Sequence, residues 1–217
     1  MKYLSDYSDH IYLLTNKLTY GGREMLPLQV GDDESWSNGI HISCEMLRDK
    51  YDWIITILDD IIVQEKLQKS YVDNLVEIAR QKSFASVSMS GRPYTKRSFF
   101  YGGVSEISRS SKYRANLVFS LWRVQDLWEC SKGNMNAWQF EEYINSLDTL
   151  IYGSVNRGLR YSHLVNRGKV LRYRRFSNKY NLSDFNRMSL FHTVIFDLRV
   201  ALYNTKNYFS VLIGNVD

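Results

Sequence analysis

The segment Tyr51-Asp52-Trp53-Ile54-Ile55-Thr56-Ile57-Leu58-Asp59-Asp60 carries the strongest strand signal in the chain. Residues 53–58 are apolar on both alternating faces apart from Thr56, the pattern of a central strand in a mostly parallel sheet. The run ends on two adjacent carboxylates, Asp59 and Asp60. Ligands of open α/β sheets bind beyond the carboxyl ends of the strands, so this pair is the first candidate site. Neighbouring carboxylates leaving a buried strand are costly unless something pairs them. A hard divalent cation bridging diphosphate oxygens is one solution. A turn cap for Asp59 and an arginine partner for Asp60 is the structural alternative.

Working outward, residues 10–15 (His-Ile-Tyr-Leu-Leu-Thr) form a short apolar run that reads as a buried strand. Gly21-Gly22 and Gly31-Asp32-Asp33 punctuate loops. Trp36, Ile40, Ser43, Cys44 and Leu47 recur at helical spacing, with Ser35 placed as N-cap. After the acidic pair, Leu67, Tyr71, Leu75 and Ile78 mark a second amphipathic helix, and residues 84–89 alternate as a strand does. Helix-sized and strand-sized segments thus alternate, which predicts an α/β fold. Residues 90–114 read as a loop or hairpin region, 117–121 as a strand, and 138–144 as a short helix. Met188, Phe191, Ile195, Leu198 and Leu202 fall on one face of a last helix, spanning 184–203. The expected organisation is one domain over 1–183, with the helix and tail of 184–217 packed on it.

A chain of 217 residues with 44% hydrophobic and 24% charged residues is an ordinary globular composition. Aromatic residues reach 14%, led by 16 Tyr, which suits either sugar stacking or half-buried sheet faces. Cys44 and Cys130 stand far apart in no metal-ligand spacing, as free buried thiols of a reducing compartment do. No apolar run approaches the ~20 residues of a membrane span, and residues 1–6 have no signal-peptide core, so a cytoplasmic protein is expected. His10, His41, His163 and His192 make no catalytic or zinc pattern and read as structural.

The net charge of +5 is unevenly spread. Residues 149–183 contain no acid but hold Arg157, Arg160, Arg167, Lys169, Arg172, Arg174, Arg175 and Lys179. Such a block suits a diphosphate, an anionic membrane surface or nucleic acid, or else a solvated face.

Several blocks taken in order resemble one family. Ser35-Trp36 opens a helix before the strand ending in Asp59-Asp60. Tyr113-Arg114-Ala115-Asn116-Leu117 then leads into Leu121-Trp122-Arg123, and Asn136-Ala137-Trp138-Gln139-Phe140-Glu141 follows. Last comes Leu164-Val165-Asn166-Arg167-Gly168-Lys169. Over about residues 8–175 this set resembles the bacterial GT-A-type glycosyltransferases of capsular and surface polysaccharide synthesis. The resemblance implies a GT-A-like, Rossmann-like sheet flanked by helices. It also implies a nucleotide-sugar donor and a polysaccharide precursor or lipid-linked saccharide as acceptor.

By the same resemblance Asp59 and Asp60 take the place of the family's metal-binding acidic motif, holding a divalent cation (Mn2+ or Mg2+) and the donor diphosphate. From the basic block, Arg167, Lys169 and Arg172 are expected to face either that diphosphate or an anionic membrane surface. The resemblance also makes Glu141 the candidate base, with compensation of a helix N-terminal dipole as the structural alternative. It sets Trp122 and Trp138 as walls of the acceptor site, with core packing as their alternative. The match starts only at the tail of the family's first helix, so the first strand is expected to be absent and the domain N-terminally shortened. The edge so left invites self-association. Peripheral contact with an anionic membrane is a further expectation. Two other classes remain open: a non-catalytic relative that assembles a polysaccharide complex, and a nucleic-acid-binding protein using residues 157–179 with Tyr161, Tyr173 and Tyr180. No RNP, helix-turn-helix or zinc pattern supports the latter, and no specific nucleic-acid partner is expected.

Overall fold

The computed structural model describes residues 2–17, 25–32, 34–59, 61–90, 103–111, 114–155, 159–163, 165–166 and 169–170. A 3-10 helix, Lys2–His10, leads into strand β1 (Tyr12–Thr15), which pairs in parallel with β2 (Leu26–Gln29). Helix α1 (Trp36–Leu47) follows, with the Ser35 side chain accepting from the Asn38 N–H as its N-cap. Strand β3 (Trp53–Ile57), strand β4 (Ile61–Val63), helix α2 (Lys69–Gln81) and strand β5 (Phe84–Ser88) come next. Beyond them lie β6 (Val104–Glu106), β7 (Phe119–Arg123), α3 (Val124–Cys130), α4 (Ala137–Ser146) and β8 (Ile151–Val155). The short strands β9 (Tyr161–His163), β10 (Val165–Asn166) and β11 (Lys169–Val170) complete the described order.

Five strands form the main sheet in the order β3-β7-β5-β8-β6. β5 and β8 pair in parallel, while β7 is antiparallel to both β3 and β5, and β6 is antiparallel to β8. Strands β3, β5 and β8 therefore share one direction and β7 and β6 run against it. The fold is α/β with a mixed sheet, in place of the mostly parallel sheet read from the apolar runs. An antiparallel strand buried on both faces carries the same apolar signature as a parallel one, so composition does not report direction.

Two cores lie on the two faces of this sheet. On one, Ile40, Cys44, Trp122, Leu127, Phe140, Ile144 and Tyr152 join α1, α3 and α4 to the strands. On the other, Leu67, Val72, Leu75 and Ala79 of the α2 region meet Phe84, Val87, Phe119, Leu121 and Val155. Each large side chain so buried contributes roughly 1.5–3 kcal/mol. Strand β7 supplies both cores by alternation, Phe119 and Leu121 to one and Trp122 to the other. Gly153 sits opposite Val87, and a Cβ there would meet the Phe84 ring at 2.8 and 2.9 Å, so the tight β5–β8 contact requires glycine.

Strand β3 departs from its reading as a central strand. It pairs with β7 and with no other described strand, and all five of its residues are half-buried. The β1–β2 pair forms a separate sheet, tied to the start of β3 where the Tyr12 and Tyr51 hydroxyls meet at 3.1 Å. The chain then crosses from β3 to β4, which pairs antiparallel with β9. The amphipathic helix expected over 184–203 lies outside the described residues. Among the described residues no helix is long and apolar enough to cross a membrane.

Candidate functional site at the carboxyl end of β3

Where β3 ends, Leu58 lines a cavity of about 120 Å³ together with Trp36, Asn116, Phe140 and Glu141. These residues come from four sequence blocks, and hydrogen bonds explain why the blocks converge. The Ser37 hydroxyl donates to Gly133 O at 2.6 Å and accepts from Met135 N–H at 2.9 Å, fastening the first turn of α1 to the loop before α4. Gly133 has a φ of 106°, in the left-handed region where glycine is unstrained.

Helix α4 starts on a capping box, with Asn136 Oδ1 accepting from Gln139 N–H and Gln139 Oε1 accepting from Asn136 N–H, each at 3.0 Å. Phe140 and Ile144, four apart, bury one stripe of α4, and the Phe140 ring packs 5.5 Å from Trp36. Glu141, half-buried, then faces the cavity wall beside them.

The block before β7 is laced to α4 as well. Asn145 Oδ1 accepts from Ala115 N–H at 3.0 Å. Arg114, only 3% exposed, donates to Asn145 O at 3.2 Å in the last turn of α4 and to Leu150 O at 3.1 Å just before β8. Its guanidinium also lies 5.2 Å over the Tyr152 ring. Arg114 is thus a structural cation that holds the Glu141 helix against the sheet.

The expected site residues divide as follows. Asp59 is exposed, one residue beyond Leu58 and so at the same end of β3 as Glu141. Asp60 and Arg167 lie outside the described residues, and Lys169 is placed only as part of the β10–β11 ladder. Trp138 is 81% exposed on the first turn of α4, three residues before Glu141 and hence its neighbour on the helix surface.

Trp122 requires a correction. It has no exposed surface, its Nε1–H donates to Asn116 O at 3.1 Å, and its ring meets Tyr152 edge-on at 6.0 Å. An indole enclosed in this way is core and touches no acceptor. Asn116, within the block over residues 113–117, also lines the cavity. No periodicity marks it, because its significance lies in what its amide fails to meet.

Among the described residues no group of three or more His, Cys, Asp or Glu side chains is placed to hold a metal. Asp59 supplies one carboxylate, a donor set that fits a hard cation only when substrate phosphates complete the shell.

A second cavity, about 380 Å³, opens at the amino end of β3 and is lined by Arg48, Asp52, Arg80 and Arg123. Its three guanidinium groups are each paired, Arg48 with Glu45, Arg80 with Asp52 and Arg123 with Asp126. Its cations are thus taken up in ion pairs, and it lies at the amino end of β3, away from Asp59 and Glu141.

No sequence family matches the chain, and no curated protein matches it either. Among solved structures it is similar to UDP-glucose pyrophosphorylase complexed with UDP-glucose, at a TM-score of 0.40 and 9% identity over 63% of this chain and 59% of that one. The apo form of UDP-glucose pyrophosphorylase aligns at a TM-score of 0.41 and 11% identity, over 64% and 58%. The chain thus spans less than two thirds of these structures, and the likeness is too distant to carry a function.

Proposed function

We propose that this chain is a nucleotide-sugar-dependent glycosyltransferase acting on a saccharide acceptor. The observation that carries the reading is the convergence of four sequence-distant blocks on one cavity at the carboxyl end of β3, with Glu141 in its wall. Asp59 emerges at the same end, and the exposed Trp138 indole stands beside Glu141 as a stacking surface for a sugar ring.

In the reaction, the acceptor hydroxyl oxygen bonds to the anomeric carbon of the donor as the bond from that carbon to the nucleoside diphosphate breaks. Glu141 takes the hydroxyl proton, the task of a carboxylate general base. A divalent cation held by Asp59 and Asp60 would offset the charge of the departing diphosphate. Arg167 and Lys169 would add positive charge to the same group.

The test is a nucleotide-release assay with uridine, guanosine and thymidine diphosphate sugars and a panel of glycoside acceptors. Glu141→Gln should lower turnover by about 10²–10⁴-fold while leaving donor affinity unchanged. Undiminished turnover in Glu141→Gln would remove Glu141 as base. Failure of calorimetry to detect any nucleotide binding would overturn the reading as a whole.

A further inference from the structure

Asn116 is only 1% exposed, yet it is anchored through half of its amide alone. Its Oδ1 accepts from Val118 N–H at 3.1 Å and from the Ser120 hydroxyl at 3.3 Å. The first of these bonds fixes which end is oxygen, because a backbone N–H has no acceptor capacity to offer an inverted amide. Its backbone carbonyl is also engaged, by the Trp122 indole N–H. What remains is Nδ2, buried and with no hydrogen-bond partner.

Buried donors without acceptors are uncommon because they have lost water and gained nothing. This one belongs to a residue that lines the cavity holding Glu141. The rest of that wall is apolar or aromatic: Trp36, Leu58, Leu117 and Phe140. A buried donor beside a carboxylate within apolar walls matches one chemical class well. A pyranose offers C–H faces to the walls, an oxygen to accept from the amide, and a neighbouring hydroxyl to donate to the carboxylate.

We propose that Asn116 Nδ2 is the hydrogen-bond donor of a saccharide subsite, binding an oxygen of the acceptor sugar next to the hydroxyl that meets Glu141. The proposal rests on the glycosyltransferase reading for its ligand class but concerns binding alone. Its geometry also has a selective consequence. A donor in this place accommodates hydroxyl, ether or carbonyl oxygens and leaves a deoxy position without its bond, so a deoxy sugar missing that oxygen binds less well.

The experiment follows the Asn116 side-chain amide by ¹⁵N-resolved nuclear magnetic resonance in the wild-type chain. The probes are methyl gluco-, galacto- and mannopyranoside, each with and without uridine diphosphate. Asn116→Ser assigns the resonance, and Asn116→Asp keeps the oxygen that Val118 and Ser120 require while deleting the donor. The expected result is saturable movement of the Asn116 amide with at least one glycoside. Affinity should fall about tenfold in Asn116→Asp, the worth of one buried hydrogen bond, measured well below that variant's own melting transition, which the buried carboxylate lowers.

Glycoside binding that moves the Trp138 indole signal but not the Asn116 amide would overturn the proposal and leave the proposed reaction standing. Silence of the amide toward every probe, with and without nucleotide, would overturn it too. If the amide moves with a glycoside while no nucleotide sugar binds, the subsite stands and the catalytic reading falls.

Discussion

Replacing Trp122 by Phe separates a core indole from one that faces ligand. Trp122 lies in β7 opposite Ile54 of β3 and Ser86 of β5, with no exposed surface. Phe retains a ring against Tyr152 but is smaller, and at ~0.8 kcal/mol per buried methylene-sized group the lost burial amounts to roughly 1–2 kcal/mol. Phe also lacks the N–H that now meets Asn116 O at 3.1 Å. A buried carbonyl stranded in this way adds about 1–3 kcal/mol. The sum is about 2–5 kcal/mol, which for a domain of this size lowers Tm by about 4–20 °C. Differential scanning calorimetry or a far-ultraviolet circular dichroism melt measures it directly. A Tm within about 2 °C of wild type, together with lost glycoside binding, would refute the burial argument and return Trp122 to the acceptor wall.

Three further expectations follow from the same contacts. Trp138→Ala, at an 81% exposed position, should leave stability within about 0.5 kcal/mol of wild type while weakening glycoside binding; a large drop in Tm would mean the indole is packed. Asn136→Ala removes the capping-box bonds at the start of α4 and should destabilise by about 1 kcal/mol in urea unfolding, whereas an unchanged midpoint would show that the cap contributes nothing. Burial pushes both thiols, Cys44 and Cys130, from an ordinary value of 9.0 up to about 12, with the proximity of Cys44 adding to the rise at Cys130. The native protein should therefore resist iodoacetamide at pH 8 and react on both cysteines once unfolded. Because the folded values are raised, the stability linked to these thiols is whole below about pH 9 and is lost as the pH climbs towards about 12. Rapid alkylation of the native chain at pH 8 would contradict this.

Much of the architecture was legible because its signals are local. The Ser35 cap, the helical spacing from Trp36 to Leu47, the apolar run of β3 and the Asn136–Gln139 start of α4 each depend on residues within one or two turns. Local hydrogen bonding and side-chain periodicity act over that range, so the chain declares these elements without reference to its distant parts. The sequence also singled out the end of β3 and the start of α4 as the places where chemistry would gather. Leu58, just before the acidic pair, and Glu141 of α4 line the cavity of about 120 Å³, whereas Asp59 is exposed beyond it.

The rest required the third dimension. Trp122 and Trp138 are the same residue type in comparable polar company, yet one is wholly enclosed and the other 81% exposed. The difference comes from what stands opposite: β3, β5 and Tyr152 for Trp122, and solvent for Trp138. Strand β8 escaped notice because Gly153 and Ser154 weaken its pattern, and the contact that demands the glycine is a Phe84 ring far away in sequence. The place of β3 as the last described strand of its sheet, the direction of β7, and the single unmet proton donor of Asn116 are all relations between segments distant along the chain. Sequence alone specifies which groups a segment offers. Whether an indole is covered or an amide proton finds an acceptor depends on the neighbours that folding brings, and only the tertiary structure decides them.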